Sequence, residues 1–193
     1  MRQIIIATAN QGKFREIRDH LAGFFDRFHS LADFDETIDV VEDRGSYMGN
    51  AWKKARTIGN RFGMNTLADD SGLEVDALQG RPGIFSSRYG TSDEDRIERL
   101  LGELQGVPIE RRTARFKAYL AYYLPVGGQV SIFYGSLEGY IGLEKRGQKG
   151  FGFDPVFMVP HLGTSLAELS MEEKNAISHR GRALARFREF LTT

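Results

Sequence analysis

The sequence predicts a mixed α/β protein, and three observations carry that prediction. The β-branched run Ile4-Ile5-Ile6-Ala7-Thr8 feeds a Gly-containing turn and then apolar residues at helical spacing. Strand-like and helix-like segments alternate along the chain, as they do in α/β folds. Two aromatic-rich segments flank Pro125-Val126-Gly127-Gly128, a hairpin signal that calls for at least one antiparallel pair.

Each element follows from its residues. Residues 4–8 read as a buried strand, and Ala9-Asn10-Gln11-Gly12-Lys13 is turn chemistry. Phe14, Ile17, Leu21, Phe24 and Phe25 then set a helix over 14–25. Residues 36–45 are polar and acidic. Residues 47–62 have helical composition, and Gly63 stops them. Thr66-Leu67-Ala68 is a short strand that ends at the acid pair Asp69-Asp70. Residues 73–78 alternate as a second strand, closed by Gln79-Gly80-Arg81-Pro82-Gly83. Ser92 caps a helix running to Leu104, with Glu94 and Asp95 in its first turn. Residues 114–124 and 129–141 are the hairpin strands, and a Gly-rich loop occupies 147–155. Ser170-Met171-Glu172-Glu173 is a capping box opening a helical segment. Ala183, Leu184, Phe187 and Leu191 form an apolar stripe that suits core packing. Without a repeat, low-complexity tract or linker, one domain over residues 1–193 is expected.

Composition excludes several functions. Lys and Arg total 26, as do Asp and Glu, so no overall basic field favours polymeric nucleic acid or an anionic membrane. The absence of cysteine removes disulfides, thiolate metal sites and cysteine nucleophiles, and fits a reducing compartment. No apolar run suits a signal peptide or a membrane span. A cytoplasmic protein is expected.

Five stretches offer chemistry. Thr8-Ala9-Asn10-Gln11-Gly12-Lys13 lies between a strand and a helix, where outward amides and a lysine suit phosphate. It is not a P-loop, because Phe14 stands where a Ser or Thr would bind magnesium. Glu42-Asp43 and Asp69-Asp70 are hard carboxylates of the kind Mg²⁺ takes, and a divalent cation would offset their repulsion. Gly147–Pro155 combines mobile backbone, aromatic faces and Asp154, which suits a stacked base. Lys174–Arg180 places Lys, His and Arg together, where they suit phosphate oxygens or a base carbonyl. Taken singly, each stretch also fits an ordinary turn or a solvated helix face.

The order of the motifs is more specific. "TANQGK", "NAWKKA", "LADDSGLEVD", "GRPGIFSSRYG", "GFGFDPVF" and "EEKNAISHRG", in succession from about Ile4 to Ala183, resemble the inosine/xanthosine triphosphate pyrophosphatase family. The resemblance implies a two-lobed α/β fold around a long mixed sheet with flanking helices, an active site in the inter-lobe cleft, and a homodimer. It implies Mg²⁺-dependent hydrolysis of dITP, ITP and XTP between the α- and β-phosphates, which cleanses the nucleotide pool. Matched residue by residue, Thr8, Asn10 and Lys13, with Ala9, Gln11 and Gly12, fall in the family's triphosphate loop. Asp70 matches its magnesium carboxylate and proton acceptor, with Asp69 in support and Ser71 as a substrate contact. Phe151 matches the base-stacking residue, and Gly152, Phe153 and Asp154 complete the base and sugar pocket. Lys174, His179 and Arg180 match the residues that hold phosphate and read the base. Asn50 and Lys54 match the helix that completes the phosphate site.

One stretch departs from the family pattern. Before the second helix the family often reads E-E-T-G-x-T-F-x-E-N-A, where this chain reads "VEDRGSYMGNA". Glu42 is the match for a second metal carboxylate, with Asp43 as a substitute. Gly49 stands where the family has Glu, and it is expected before the helix proper, since glycine inside a helix costs up to ~1 kcal/mol against alanine. Two other readings stay open on sequence alone: a weakly catalytic nucleotide-binding or sensor protein, and a related pyrophosphatase for modified pyrimidines.

Overall fold

A computed structural model describes residues 2–36 and 38–193. Its centre is a seven-stranded sheet in the order β2-β1-β3-β4-β5-β6-β7. The strands are β1 (Gln3–Ala7), β2 (Arg27–His29), β3 (Thr66–Val75), β4 (Thr113–Leu124), β5 (Gln129–Ile141), β6 (Phe157–Val159) and β7 (Thr164–Ser165). The helices are α1 (Gln11–His20), α2 (Tyr47–Phe62), α3 (Asp93–Glu103), α4 (Met171–Ile177) and α5 (His179–Thr192). β1 runs parallel to both β2 and β3, whereas β6 is antiparallel to β5 and to β7. The sheet is therefore mixed, as the sequence predicted.

The chain forms two compact units. The first takes in the chain up to Asp70, residues 118–135 and residues 180–193; the second takes in residues 71–117 and 136–179. In the first unit the strands bury both faces, which explains the uninterrupted Ile4-Ile5-Ile6 run. Ile4, Ile6 and Leu67 pack on Ile17 and Leu21 from the α1 side and on Ala183, Leu184 and Phe187 of α5. Ile5, Ala7 and Ala68 pack on Ala51, Ala55 and Ile58 of α2. Full burial of one such aliphatic side chain contributes about 1.5–3 kcal/mol. In the second unit Leu73 and Val75 join Ile97, Leu100, Phe116, Phe153 and Phe157 in one cluster.

Several boundaries differ from the sequence reading, each for a local reason. α1 starts at Gln11, because the Asn10 side chain accepts a hydrogen bond from the Lys13 amide at 3.0 Å and caps the helix. It ends at His20, and Phe24 and Phe25 pack on the same cluster from beyond the helix. β3 is one continuous ten-residue strand, with the acid pair inside it. Residues 76–78 form a short 3₁₀ turn rather than a strand end. Gly49 lies in the first turn of α2, whose cap is the Ser46 hydroxyl accepting from the Gly49 amide at 3.1 Å. A Cβ at Gly49 would sit 2.7 Å from Arg44 Cβ, so the approach of the preceding segment excludes a side chain there. The last helical segment breaks at Ser178, whose extended ψ of 157° separates α4 from α5. Among the described residues, no helix is long and apolar enough to cross a membrane.

Candidate active site

Two adjacent carboxylates repel, and aspartate is a poor strand former. The structure resolves both objections through the pleat. Successive side chains on a strand point to opposite faces, so Asp69 continues the face of Leu67 and Asp70 that of Ala68. Each acid then meets its own counter-ions on a different side of the sheet.

Asp69 faces α1 and the start of α5. Its Oδ1 lies 2.5 Å from Lys13 Nζ, and its Oδ2 lies 3.1 Å from Arg180 Nε. Arg180 Nη1 reaches back to Glu16 Oε2 at 2.5 Å. Asp69, Arg180 and Glu16 are all buried. Burial opposes ionisation of Asp69, but Arg180 and then Lys13 outweigh it and hold the carboxyl far below the ordinary value. Burial also lowers Lys13, helped by repulsion from Arg180 and Lys54 and resisted by Asp69. Arg180 is held above its ordinary value, because Asp69 and Glu16 overcome the cost of burial. Glu16 carries no motif signature. The signal that marks it is positional: a glutamate next to Ile17 on the buried face of α1, three residues after Lys13.

Asp70 faces α2. Asn50 is buried and bridges two segments. Its Nδ2 donates to Asp70 Oδ2 at 3.1 Å, and its Oδ1 accepts from the Arg44 amide at 3.0 Å. One turn on, Lys54 Nζ lies 2.8 Å from Glu42 Oε1, 2.8 Å from the Asp69 carbonyl oxygen and 3.4 Å from Asp70 Oδ1. Burial pushes the Asp70 carboxyl above its ordinary value, with Glu42 and Asp69 adding to the rise against Lys54 and Lys13. Lys54 is also raised: burial lowers it, but Asp70 and Glu42 more than compensate.

The convergence of Glu42 and Asp70 on one ammonium tests whether this face suits a metal. Two hard carboxylates already reach a single cation from different segments, and that donor set fits Mg²⁺. Among the described residues no cluster of three His, Cys, Asp or Glu side chains forms a complete metal cage. Two protein carboxylates, with phosphate and water supplying the rest, is the usual pattern for Mg²⁺. Asp43 lies apart from this set: it is exposed and pairs with Lys53 at 2.8 Å. Glu42 is therefore the better second carboxylate.

The first loop is shorter than its motif. Thr8 Oγ1 accepts from the Asn10 amide at 3.2 Å, which shapes the turn. Gln11, Gly12 and Lys13 form the first turn of α1; Asn10 takes the Lys13 amide, and the other first-turn amides, without intrahelical acceptors, favour an anion.

The remaining candidates belong to the second unit. Lys174 and Asp154 are both buried, with Nζ 2.6 Å from Asp154 Oδ2. Lys174 Nζ also sits 4.6 Å from the centroid of the Phe151 ring, a cation–π contact. The Phe151 amide donates to Asp154 Oδ2 at 2.9 Å. His179 is buried and stacks on Phe116, centroids 4.7 Å apart and rings 12° from parallel. Phe153 is a core residue packed edge-on against Tyr89, whereas Phe151 is only half-buried. Ser71, half-buried on β3, opens this unit's part of the strand.

The molecule thus collects an acid and cation group in the first unit and an aromatic and basic group in the second. Comparison with known proteins identifies the family. The model of the Ham1 family matches residues 4–190. The chain is 47% identical over 194 residues to the dITP/XTP pyrophosphatase of Geobacter sulfurreducens, covering 99% of this chain and 97% of that protein. It is 45% identical to the dITP/XTP pyrophosphatase of Geobacillus kaustophilus, covering 98% and 94%. Its fold is similar to that of a HAM1 protein from Coxiella burnetii, with a TM-score of 0.88 and 38% identity, covering 100% of this chain and 99% of that one. A family match and relatives of this identity spanning nearly the whole chain establish the relationship: the chain belongs to the Ham1 family.

Proposed function

We propose that this chain hydrolyses the non-standard purine nucleoside triphosphates dITP, ITP and XTP, releasing nucleoside monophosphate and pyrophosphate. The observation that carries the reading is the Asp70 face, where Asp70 and Glu42 converge beside Lys54 in a chain so similar to dITP/XTP pyrophosphatases. Cleavage of a phosphoanhydride needs charge neutralisation and in-line positioning rather than covalent chemistry. Asp70 and Glu42 would hold Mg²⁺, which when bound neutralises phosphate charge and lowers the pKa of water.

The chain's own residues supply the rest. Asp70, oriented by Asn50 and pushed up by burial, accepts the proton of the attacking water at a carboxylate oxygen. The α1 N-terminus, Lys13 and Lys54 neutralise phosphate oxygens. We assign Asp69 and Arg180 to holding that frame rather than to the reacting atoms, since each is buried against opposite charge. In the second unit Phe151 offers a face for the base, and Lys174, His179 and Asp154 offer polar groups. Donors there would favour the 6-carbonyl of hypoxanthine or xanthine, because the amine of adenine would leave a buried donor unpaired. The protein acts as a cytoplasmic homodimer on a free nucleotide.

Pyrophosphate release from dITP, XTP, dTTP and ATP with Mg²⁺ tests the reading. Turnover of dITP and XTP is expected, with Asp70→Asn folded and slowed at least about a hundredfold, the low end for loss of a general base. Turnover of dTTP alone would overturn the purine assignment. Tight binding of dITP without turnover would favour the sensor reading.

A further inference from the structure

The Phe151 ring is carried by a loop, and a loop residue keeps its direction only if the peptide planes on both sides of it are held. One plane is held from within the loop, where Asp154 Oδ2 accepts from the Phe151 amide at 2.9 Å. The other is held from outside. The Gly152 amide donates to Asp93 Oδ2 at 2.7 Å. Asp93 is the first residue of α3, and Ser92 caps that helix by accepting from the Asp95 amide at 3.1 Å. The Asp93 carboxylate is itself held, since its Oδ1 accepts from Arg96 Nη1 at 2.6 Å while Arg96 Nη2 donates to the Ser87 carbonyl oxygen at 2.6 Å. The neighbouring Glu94 pairs with Lys145, so the first turn of α3 grips this region twice.

We propose that Asp93 is a positioning residue for the base-stacking ring: its carboxylate fixes the Phe151–Gly152 peptide plane and so the direction of the Phe151 side chain. This rests on the assignment of Phe151 to the base pocket. Gly152 has a φ of 62°, a region where glycine alone moves freely, so this plane is the soft point of the loop without an outside partner. Asp154 holds the other peptide plane, at the Phe151 amide, and is already engaged by Lys174. Asp93 reaches the loop from α3 and spends its two oxygens on the Gly152 amide and Arg96, so its loss should weaken base binding and spare the chemical step.

The test compares Asp93→Ala with Asp93→Asn, whose amide oxygen can still accept the Gly152 hydrogen bond. Asp93→Ala should raise the KM for dITP about fivefold, the worth of one partly exposed hydrogen bond, with kcat within about twofold. Asp93→Asn keeps an acceptor for Gly152 while giving up the Arg96 pairing, and should fall closer to wild type than Asp93→Ala. Hydrogen exchange at the Gly152 amide should speed up in Asp93→Ala and not in Asp93→Asn. An unchanged KM in Asp93→Ala, a fall in kcat at constant KM, or unchanged Gly152 exchange would each overturn the proposal. If the wild-type protein does not turn over dITP, the purine reading fails instead, and Gly152 exchange alone decides whether Asp93 holds the loop.

Discussion

Replacing Arg180 by methionine would keep the apolar stem and delete the cation on which the Asp69 face depends. The guanidinium belongs to a residue only 2% exposed, and it serves two carboxylates, Asp69 at 3.1 Å and Glu16 at 2.5 Å. Asp69 would keep Lys13 at 2.5 Å, so its loss is partial. Glu16, 1% exposed, would lose its contact with Arg180 and remain in the core. Removing one partner of a buried ion pair costs about 3–5 kcal/mol, because the other charge stays behind without compensation. That range is the expected loss. Adding Glu16→Gln should recover about 1–3 kcal/mol, the size of coupling seen between residues in one charge network. Urea denaturation followed by tryptophan fluorescence reads the right region, since Trp52 is the only tryptophan and lies in α2 of the first unit. A loss below about 1 kcal/mol for Arg180→Met, or a Glu16→Gln change that deepens the loss, would refute this account of the network.

Two further outcomes follow from the same geometry. Gly150 has a φ of 79°, and a Cβ there would lie 2.1 Å from Asp154 Oδ2, so Gly150→Ala must move the carboxylate that holds Phe151 and Lys174. The KM for dITP should rise about tenfold, from the loss of one charge-assisted contact, and steady-state kinetics would show it. The second outcome concerns acid. Asp69 is held below its unfolded value, so its contribution is fully present above about pH 4 and drains away as pH falls toward the lowered folded value. Between pH 4 and 3 stability should fall by roughly 0.9 kcal/mol from this group, steepening toward about 1.4 kcal/mol per pH unit below pH 3. Asp69→Asn should flatten that limb in urea titrations at pH 5, 4 and 3. An unchanged slope would contradict the assignment.

The fold was most legible where a strong local signal met a boundary. α2 spans Tyr47–Phe62 as the composition and Gly63 predict, because Ser46 caps one end and Gly63, with a φ of 62°, closes the other. β5 starts at Gln129 because Gly127 and Gly128, both at positive φ, turn the chain. Legibility failed where tertiary partners overrode local preference. Apolar periodicity carried α1 too far, because Phe25 is buried in the same cluster as Ile17 without being helical. Asp, Ser and Gly broke the predicted strand at 69, yet Lys13, Arg180, Asn50 and Lys54 make those acids welcome inside β3. Gly49 looked costly in a helix only until Arg44 was placed against it. In the site, motifs named the residues that would touch substrate. They were silent on Glu16 and Asp93, whose roles exist only through partners at sequence separations of 164 and 59.

The acid pair owes its two separate environments to the pleat. On a turn, both carboxylates would share one environment and neither would stand out. On a strand, Asp69 is delivered to Lys13 and Arg180 and pinned as an anion, while Asp70 is delivered to Asn50, Lys54 and Glu42 and pushed upward by burial. Two neighbouring groups whose environments drive their pKa values apart are suited to different roles, one structural and one chemical. The register of β3 then decides which acid meets which counter-ions. Ile6 pairs with Leu67 and Ala7 with Ala68, and a slip of one residue would send Asp70 toward Arg180 and Asp69 toward Asn50. Such a slip would also turn Leu67 and Ala68 onto the wrong clusters, so the same apolar side chains that hold the sheet together decide which aspartate faces Lys54.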